Sequence, residues 1–241
     1  MLHRSSVLKE EAAAARANVI AQLAHELRTP LANLKLHTDL LQRKTSDAAA
    51  VQRYGTILDN EIDRLSLLAE NAIAVSRGAI AQPKLETAIP DDCLRAILDR
   101  FEPMLADAGC SVHFDPNAAT ASRFDRTSWE RCIVNLIDKA CKYASCTVIN
   151  IATSQTSSML RLDVSDGGPG IAPDQHEQIF EPLERATTTD ASGFGLGLAA
   201  VRALARQNGG NCRVEAKNSG AHFVLTMQAI PVEFPQQEQV S

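Results

Sequence analysis

Apolar positions at Ile20, Ala24, Leu27, Leu31, Leu34 and Leu41 follow one another at alternating spacings of four and three, with Thr38 in the polar slot. That rhythm is a heptad seam along one face of a helix. It breaks at Lys44-Thr45-Ser46-Asp47, where turn and N-cap residues gather, and resumes at Leu58, Ile62, Leu65, Ala69 and Ala72. The pattern predicts an antiparallel helical hairpin over 1–77. Two helices alone cannot enclose both stripes, so the expected solution is a four-helix bundle made from two copies of the chain. A hairpin packed on the rest of the molecule is the other arrangement compatible with the pattern.

Residues 78–83, with Gly78 and Pro83, read as a linker. Beyond it the periodicity is mixed. Asp92 to Ala106, Thr127 to Tyr143 and Leu198 to Gln207 follow a helical period, whereas Thr147 to Ala152, Met159 to Val164, Cys212 to Glu215 and Phe223 to Leu225 read as strands. Sheet and helices in this mixture predict an α/β sandwich over 84–230, and the Gln-, Pro- and Glu-rich stretch 231–241 reads as a disordered tail. The fold class expected is thus α plus α/β.

Composition narrows the function classes. The 241 residues carry 24 basic and 29 acidic side chains, a net charge of −5, so no basic surface for nucleic acid is signalled. Six cysteines without C-x-x-C spacing read as reduced, mostly buried thiols rather than zinc ligands. No stretch has the length and apolarity of a membrane span and no secretory leader is evident, which gives an expected cytoplasmic location. Any contact with a membrane would come through a sensor region that this chain lacks, as in the cytosolic part of an inner-membrane sensor.

Chemistry concentrates in a few segments. Ala24-His25-Glu26-Leu27-Arg28-Thr29-Pro30-Leu31 turns His25 and Thr29 to the exposed face if Ala24, Leu27 and Leu31 face the seam. An exposed imidazole is a nucleophile when a carboxylate such as Glu26 orients or removes its proton. Pro30 cannot donate to the Glu26 carbonyl, which predicts a loosened helix there. Further on, Asp166-Gly167-Gly168-Pro169-Gly170 follows a predicted strand, and Gly193-Phe194-Gly195-Leu196-Gly197-Leu198 opens a predicted helix. Bare backbone N–H groups leading into a helix N-terminus form an anion cradle suited to a triphosphate. A carboxylate such as Asp166 accepts from an exocyclic amine of the kind adenine presents. A Rossmann reading fails, because no βαβ unit with a ribose-binding acid surrounds the glycines.

Together these segments resemble the sensor histidine kinases of two-component systems. The H box is Ala24 to Leu31, the N box Asn135 to Tyr143, the first G box Asp166 to Ile171, the F box Ile179 to Pro182 and the second G box Gly193 to Leu198. The resemblance spans nearly the whole chain. It implies a dimeric helical bundle carrying the phospho-acceptor, followed by an ATP-binding domain of the Bergerat (GHKL) type with a lid at Leu183 to Ser192. It implies that His25 takes the γ-phosphoryl group of ATP, that Glu26 acts as its base or orienting partner, and that Thr29 helps place the water that dephosphorylates a response regulator. It further implies that Asp166 reads adenine, Tyr143 packs near it, Lys142 contacts phosphate, Asn135 holds phosphate or Mg²⁺, and Arg185 reaches from the lid. Gly168, Gly170, Ile171, Phe180, Gly193, Gly195, Leu196 and Gly197 complete the implied pocket. The implied partners are a second copy of the chain and the receiver domain of a response regulator.

One position departs from the family pattern. Lys139 stands where the family has an asparagine whose carboxamide oxygen coordinates Mg²⁺. An ammonium has three donors and no acceptor and repels the ion. Three arrangements are open: Lys139 substitutes its own charge for that of the ion, the chain is kinase-impaired and acts mainly as a response-regulator phosphatase, or Lys139 turns outward while Asn135 and water hold the ion. An ATPase of the repair, topoisomerase or chaperone type is a further alternative, which the H box and hairpin oppose. Elsewhere, His37 reads as a solvated helix residue, and Asp59, Glu61, Asp63 and Arg64 as a solvated face of the bundle.

Overall fold

The computed structural model describes residues 24, 27–43, 47–77, 82–143, 148–184, 195–217 and 219–232. Helix α1 covers 27–43 and α2 covers Ala48–Arg77. Asp47 caps α2, its Oδ1 accepting from the Ala50 amide at 3.1 Å, the short acceptor chemistry that favours aspartate there. The half-buried side of α1 takes in Leu27, Leu34, His37 and Leu41, with Pro30 buried, while Leu31 on the expected seam is 54% exposed. His37 differs from its expected role as a solvated residue. Its ring lies 5.8 Å from that of Tyr54, and its Nδ1 is buried with no hydrogen-bond partner among the described residues.

The rest is a two-layer unit. After β1 (Glu86–Ala88) come α3 (Pro90–Asp107), β2 (Ser111–Asp115), β3 (Ser122–Phe124), α4 (Arg126–Tyr143), β4 (Val148–Gln155) and β5 (Met159–Ser165). Helix α5 (Gly197–Gln207) and strands β6 (Asn211–Val214), β7 (His222–Gln228) and β8 (Ile230–Pro231) complete the chain order. The main sheet runs β2-β4-β5-β7-β6, with β2 and β4 parallel and the remaining pairs antiparallel. Alternation along each strand divides its faces. Ile149, Ile151, Leu160, Leu162, Val164, Leu225 and Met227 face a core closed by Leu94 of α3, by Trp129, Ile133, Leu136 and Ile137 of α4, and by Val201 and Leu204 of α5. Polar side chains cover much of the other face, where Arg161 donates to Asp163 through Nε and Nη2, both at 2.7 Å, and His222 approaches the same carboxylate at 2.8 Å.

A second sheet, β1-β3-β8, was not anticipated. Its strands are two or three residues long, too short for alternation to register. It takes in Pro231, and the Val232 amide donates to Ala121 O at 2.8 Å, so two residues counted with the tail belong to the folded unit. Two acids anchor the helices that cover the main sheet. Asp125 accepts from the amides of Ser128 and Lys84, capping α4, and the fully buried Asp91 accepts from Ala118 N and Thr153 Oγ1.

Candidate nucleotide site

The face of α4 that carries Asn135, Lys139 and Tyr143 at intervals of four residues looks toward both glycine-rich segments. At one end, Gly168 lies so close to Tyr143 that a β-carbon there would sit 2.6 Å from the Tyr143 carbonyl oxygen. The Gly168 amide donates to Asp166 Oδ1 at 2.9 Å. At the other end, a β-carbon on Gly197 would sit 2.9 Å from Asn135 Oδ1 and 3.6 Å from Lys139 Cε. Close backbone approach at both ends requires glycine. Asp166, Gly168, Tyr143, Lys139, Asn135 and Gly197 thus form one continuous row.

Asp166 is 5% exposed and doubly held: its Oδ1 also accepts from Ala221 N at 3.1 Å, and its own amide donates to Ala221 O at 3.0 Å. Neither side-chain bond uses Oδ2, the oxygen suited to a ligand amine. Helix α5 opens at Gly197 with Leu196 at its N-cap, no side-chain capping bond and no acidic residue in its first turn. Its uncompensated N–H groups and the positive end of its dipole favour an anion. Lys139 does not turn away from this end. Its Nζ lies 5.5 Å from the centroid of the Tyr143 ring, and its stem borders Gly197. An ammonium beside a helix N-terminus strengthens a phosphate site and opposes a metal ion.

Other residues named from the sequence stand apart from the row. Lys142 pairs with Asp138 at 2.7 Å, one turn back on α4. Phe180 is a core residue, 4% exposed, edge-on to Phe223 at 6.5 Å and beneath the Arg202 guanidinium at 3.6 Å. Leu196 is buried at the mouth of α5. Gly195, at φ +65, accepts through its carbonyl from Leu183 N at 2.9 Å; Leu183 itself has φ +74, a left-handed conformation that costs a leucine about 1 kcal/mol or more. Gly170 and Ile171 line a cleft of about 340 Å³ with His176, Glu215, Lys217 and Gly220, and it adjoins Asp166, whose carbonyl accepts from Lys217 Nζ at 3.4 Å. Thr29 is exposed on α1. His25, Glu26, Arg185 and Gly193 lie outside the described residues.

Three contributors escaped the sequence reading. Ala221 completes the grip on Asp166 through its backbone, which side-chain chemistry does not signal. Arg202 is almost buried, its Nε donating to Cys212 O at 3.0 Å and its Nη1 to Glu177 at 2.6 Å. That hydrogen bond from Arg202 holds the Glu177 carboxyl below its ordinary range. Asn71, on the hairpin helix, exchanges carboxamide bonds with Asn135 at 2.8 and 3.1 Å. The five described cysteines are free. Burial raises the Cys93 and Cys132 thiols and pushes Cys141 and Cys212 up to about 12, as inert core residues behave.

The donor set therefore fits a nucleotide better than it fits Mg²⁺. Among the described residues no group of three or more His, Cys, Asp and Glu side chains stands ready for a metal. Asn135 Oδ1 is already accepting, and Lys139 has no lone pair to give.

A phospho-acceptor hairpin followed by an ATPase sandwich defines the class of protein. The His Kinase A (phospho-acceptor) domain matches residues 15–79, and the histidine kinase-, DNA gyrase B- and HSP90-like ATPase domain matches 124–231. The chain is 28% identical over 224 residues to the sensor-like histidine kinase SenX3 of Mycobacterium tuberculosis, covering 90% of this chain and 55% of that one. Full-length ShkA in complex with AMPPNP shares the fold at a TM-score of 0.66 and 24% identity, over 89% of this chain and 46% of that one. Histidine kinase ThkA, in complex with the response regulator protein TrrA, shares it at 0.63 and 20% identity, over 94% and 65%. This chain belongs to the sensor histidine kinases of two-component systems. It spans about half the length of the curated relatives it matches. Among the described residues no helix is long and apolar enough to cross a membrane.

Proposed function

We propose that this chain is the catalytic core of a cytoplasmic sensor histidine kinase, which uses ATP to phosphorylate His25 and passes the group to an aspartate of a response-regulator receiver domain. The row from Asp166 to Gly197, ending at an uncapped helix N-terminus, carries this reading. Asp166 Oδ2 takes the adenine amine, Tyr143 borders the base, and the α5 N-terminus with Lys139 receives phosphate. Lys142 joins them on leaving Asp138. Triphosphate supplies the transferable phosphoryl group; a nitrogen of His25 forms the new P–N bond as the bond to the ADP oxygen breaks. Glu26 orients the ring or takes its proton, and Thr29 serves the reverse task of placing water for dephosphorylation of the regulator. The working domains are 1–77 and 84–232, joined by 78–83. The exposed apolar side chains of Leu31, Leu36, Ile62 and Ile73 support a homodimer that covers them.

Lys139 favours a slow forward reaction. Phosphoryl transfer depends on positioning and charge neutralisation, and an ammonium in place of a carboxamide repels Mg²⁺ instead of ligating it. Regulator dephosphorylation through Glu26 and Thr29 does not need that metal contact and is the activity retained. Incubation with γ-labelled ATP and Mg²⁺ tests both statements. The parent should acquire acid-labile label slowly, His25→Ala none, and Lys139→Asn roughly 10²-fold faster. Label that survives His25→Ala overturns the acceptor assignment; Lys139→Asn no faster than the parent overturns the role given to the lysine.

A further inference from the structure

Asn135 is held by the hairpin. It is 3% exposed and its partner Asn71 5%, and the two carboxamides face each other head to tail. Asn71 Nδ2 donates to Asn135 Oδ1 at 2.8 Å, while Asn135 Nδ2 donates to Asn71 Oδ1 at 3.1 Å and to Arg131 O at 2.9 Å. Both amide protons of Asn135 are therefore used, and its oxygen faces α2. Leu68 and Ala74 are buried on the same side of α2, and Glu70 pairs with Arg131 at 3.2 Å on the rim. The pair is a sealed polar contact between α2, the second helix of the hairpin, and α4, which carries the candidate nucleotide face.

We propose that Asn71 is a positioning residue of the nucleotide site. By engaging the Asn135 amide it makes the seating of α2 and donation from Asn135 to nucleotide phosphates mutually exclusive, so the hairpin sets nucleotide affinity. Phosphate oxygens only accept, and both Asn135 amide protons are committed, so Asn135 can donate to phosphate only by giving up a present partner, and leaving a buried polar group unmet is costly. Linkage makes the effect reciprocal: whatever draws Asn135 to the nucleotide must weaken the hold on α2 by the same factor. The inference rests on the nucleotide reading of the α4 face given above.

Calorimetric titration of the full chain with AMPPNP, with and without Mg²⁺, tests it, using the parent, Asn71→Ala, Asn71→Ser, Asn135→Ala and the double variant Asn71→Ala/Asn135→Ala. Asn71→Ala and Asn71→Ser should bind about fivefold to tenfold more tightly than the parent, within the usual range of coupling between sites. In the Asn135→Ala background the Asn71 substitution should change nothing. Hydrogen exchange supplies the reciprocal readout, with nucleotide speeding exchange of the α2 amides around Asn71 in the parent and not in Asn71→Ala. A residue that merely supported the fold would weaken binding when truncated. Binding by both Asn71 variants that is no tighter than the parent's overturns the inference and leaves the nucleotide site standing. Absence of binding in every variant overturns the nucleotide reading and the inference with it.

Discussion

Replacing Arg202 should cost more stability than any surface ion pair could explain. Its Nε supplies the hydrogen bond to the Cys212 carbonyl at 3.0 Å, and its guanidinium lies 3.6 Å from the centroid of the Phe180 ring. Arg202→Met keeps most of the stem's packing volume and removes both contacts. A buried carbonyl left without its donor costs about 1–3 kcal/mol, and the lost cation–π contact about 0.5–2 kcal/mol. The Glu177 pair adds little, because that carboxylate is 82% exposed and screened. The expected loss is about 3 kcal/mol, or roughly 6–12 °C in melting temperature for a unit of this size. Urea unfolding followed by circular dichroism gives the free energy directly. Arg202→Lys, which keeps the charge but not the planar fork, should fall between parent and Met variant. A loss below about 1 kcal/mol for Arg202→Met, or a lysine variant as damaging as the methionine one, would refute the assignment of the energy to the Cys212 bond and the Phe180 stack.

Two further outcomes are expected. Gly168→Ala forces a β-carbon to within 2.6 Å of the Tyr143 carbonyl, so nucleotide affinity should drop by roughly tenfold or more while most of the fold persists, as read by titration against urea midpoint. Acid should weaken the sheet through Asp163, where burial raises the carboxyl but hydrogen bonds from Arg161 and His222 outweigh it and hold it below the ordinary 3.8. With the folded value lowered, the unfolded chain binds more protons, so the contribution is complete above about pH 5 and disappears as pH falls through the folded value. The slope of urea midpoint against pH in that window should flatten in Asp163→Asn, and an unchanged slope would remove Asp163 as its source.

The hairpin, the two glycine-rich turns and the central strands were legible in the sequence because each carries a long or chemically distinctive signal. Met159 to Val164 alternates cleanly, and the strand extends by only one residue, to Ser165. The edge strand β2 was missed although Ser111-Val112-His113-Phe114-Asp115 alternates, because the pattern is only five residues long and rests on two apolar side chains, Val112 and Phe114. Strands β1, β3 and β8 are too short to have a period. At the site, Asp166 and Gly168 announce themselves by type, whereas Asn71 reads as one more polar residue on a helix. Its importance comes from a partner sixty-four positions away, which no local spacing encodes. Arg202 is hidden for a related reason: an arginine among alanines looks solvated, and only the docked F box shows it buried.

The small sheet β1-β3-β8 has a consequence for how the protein is made. Its last strand pairs Ile230 with Arg123, while its first pairs Glu86 with Phe124, so the chain's earliest and latest segments beyond the hairpin meet on one central strand. A ribosome must release Pro231 before that sheet can close, and until then β3 presents an unpaired edge. The ATPase unit therefore completes itself after translation of its own sequence rather than during it, with a late, long-range step of the kind that slows folding. A nascent chain stalled before Ile230 holds the hairpin and the central strands in hand and still lacks the strand that finishes the domain.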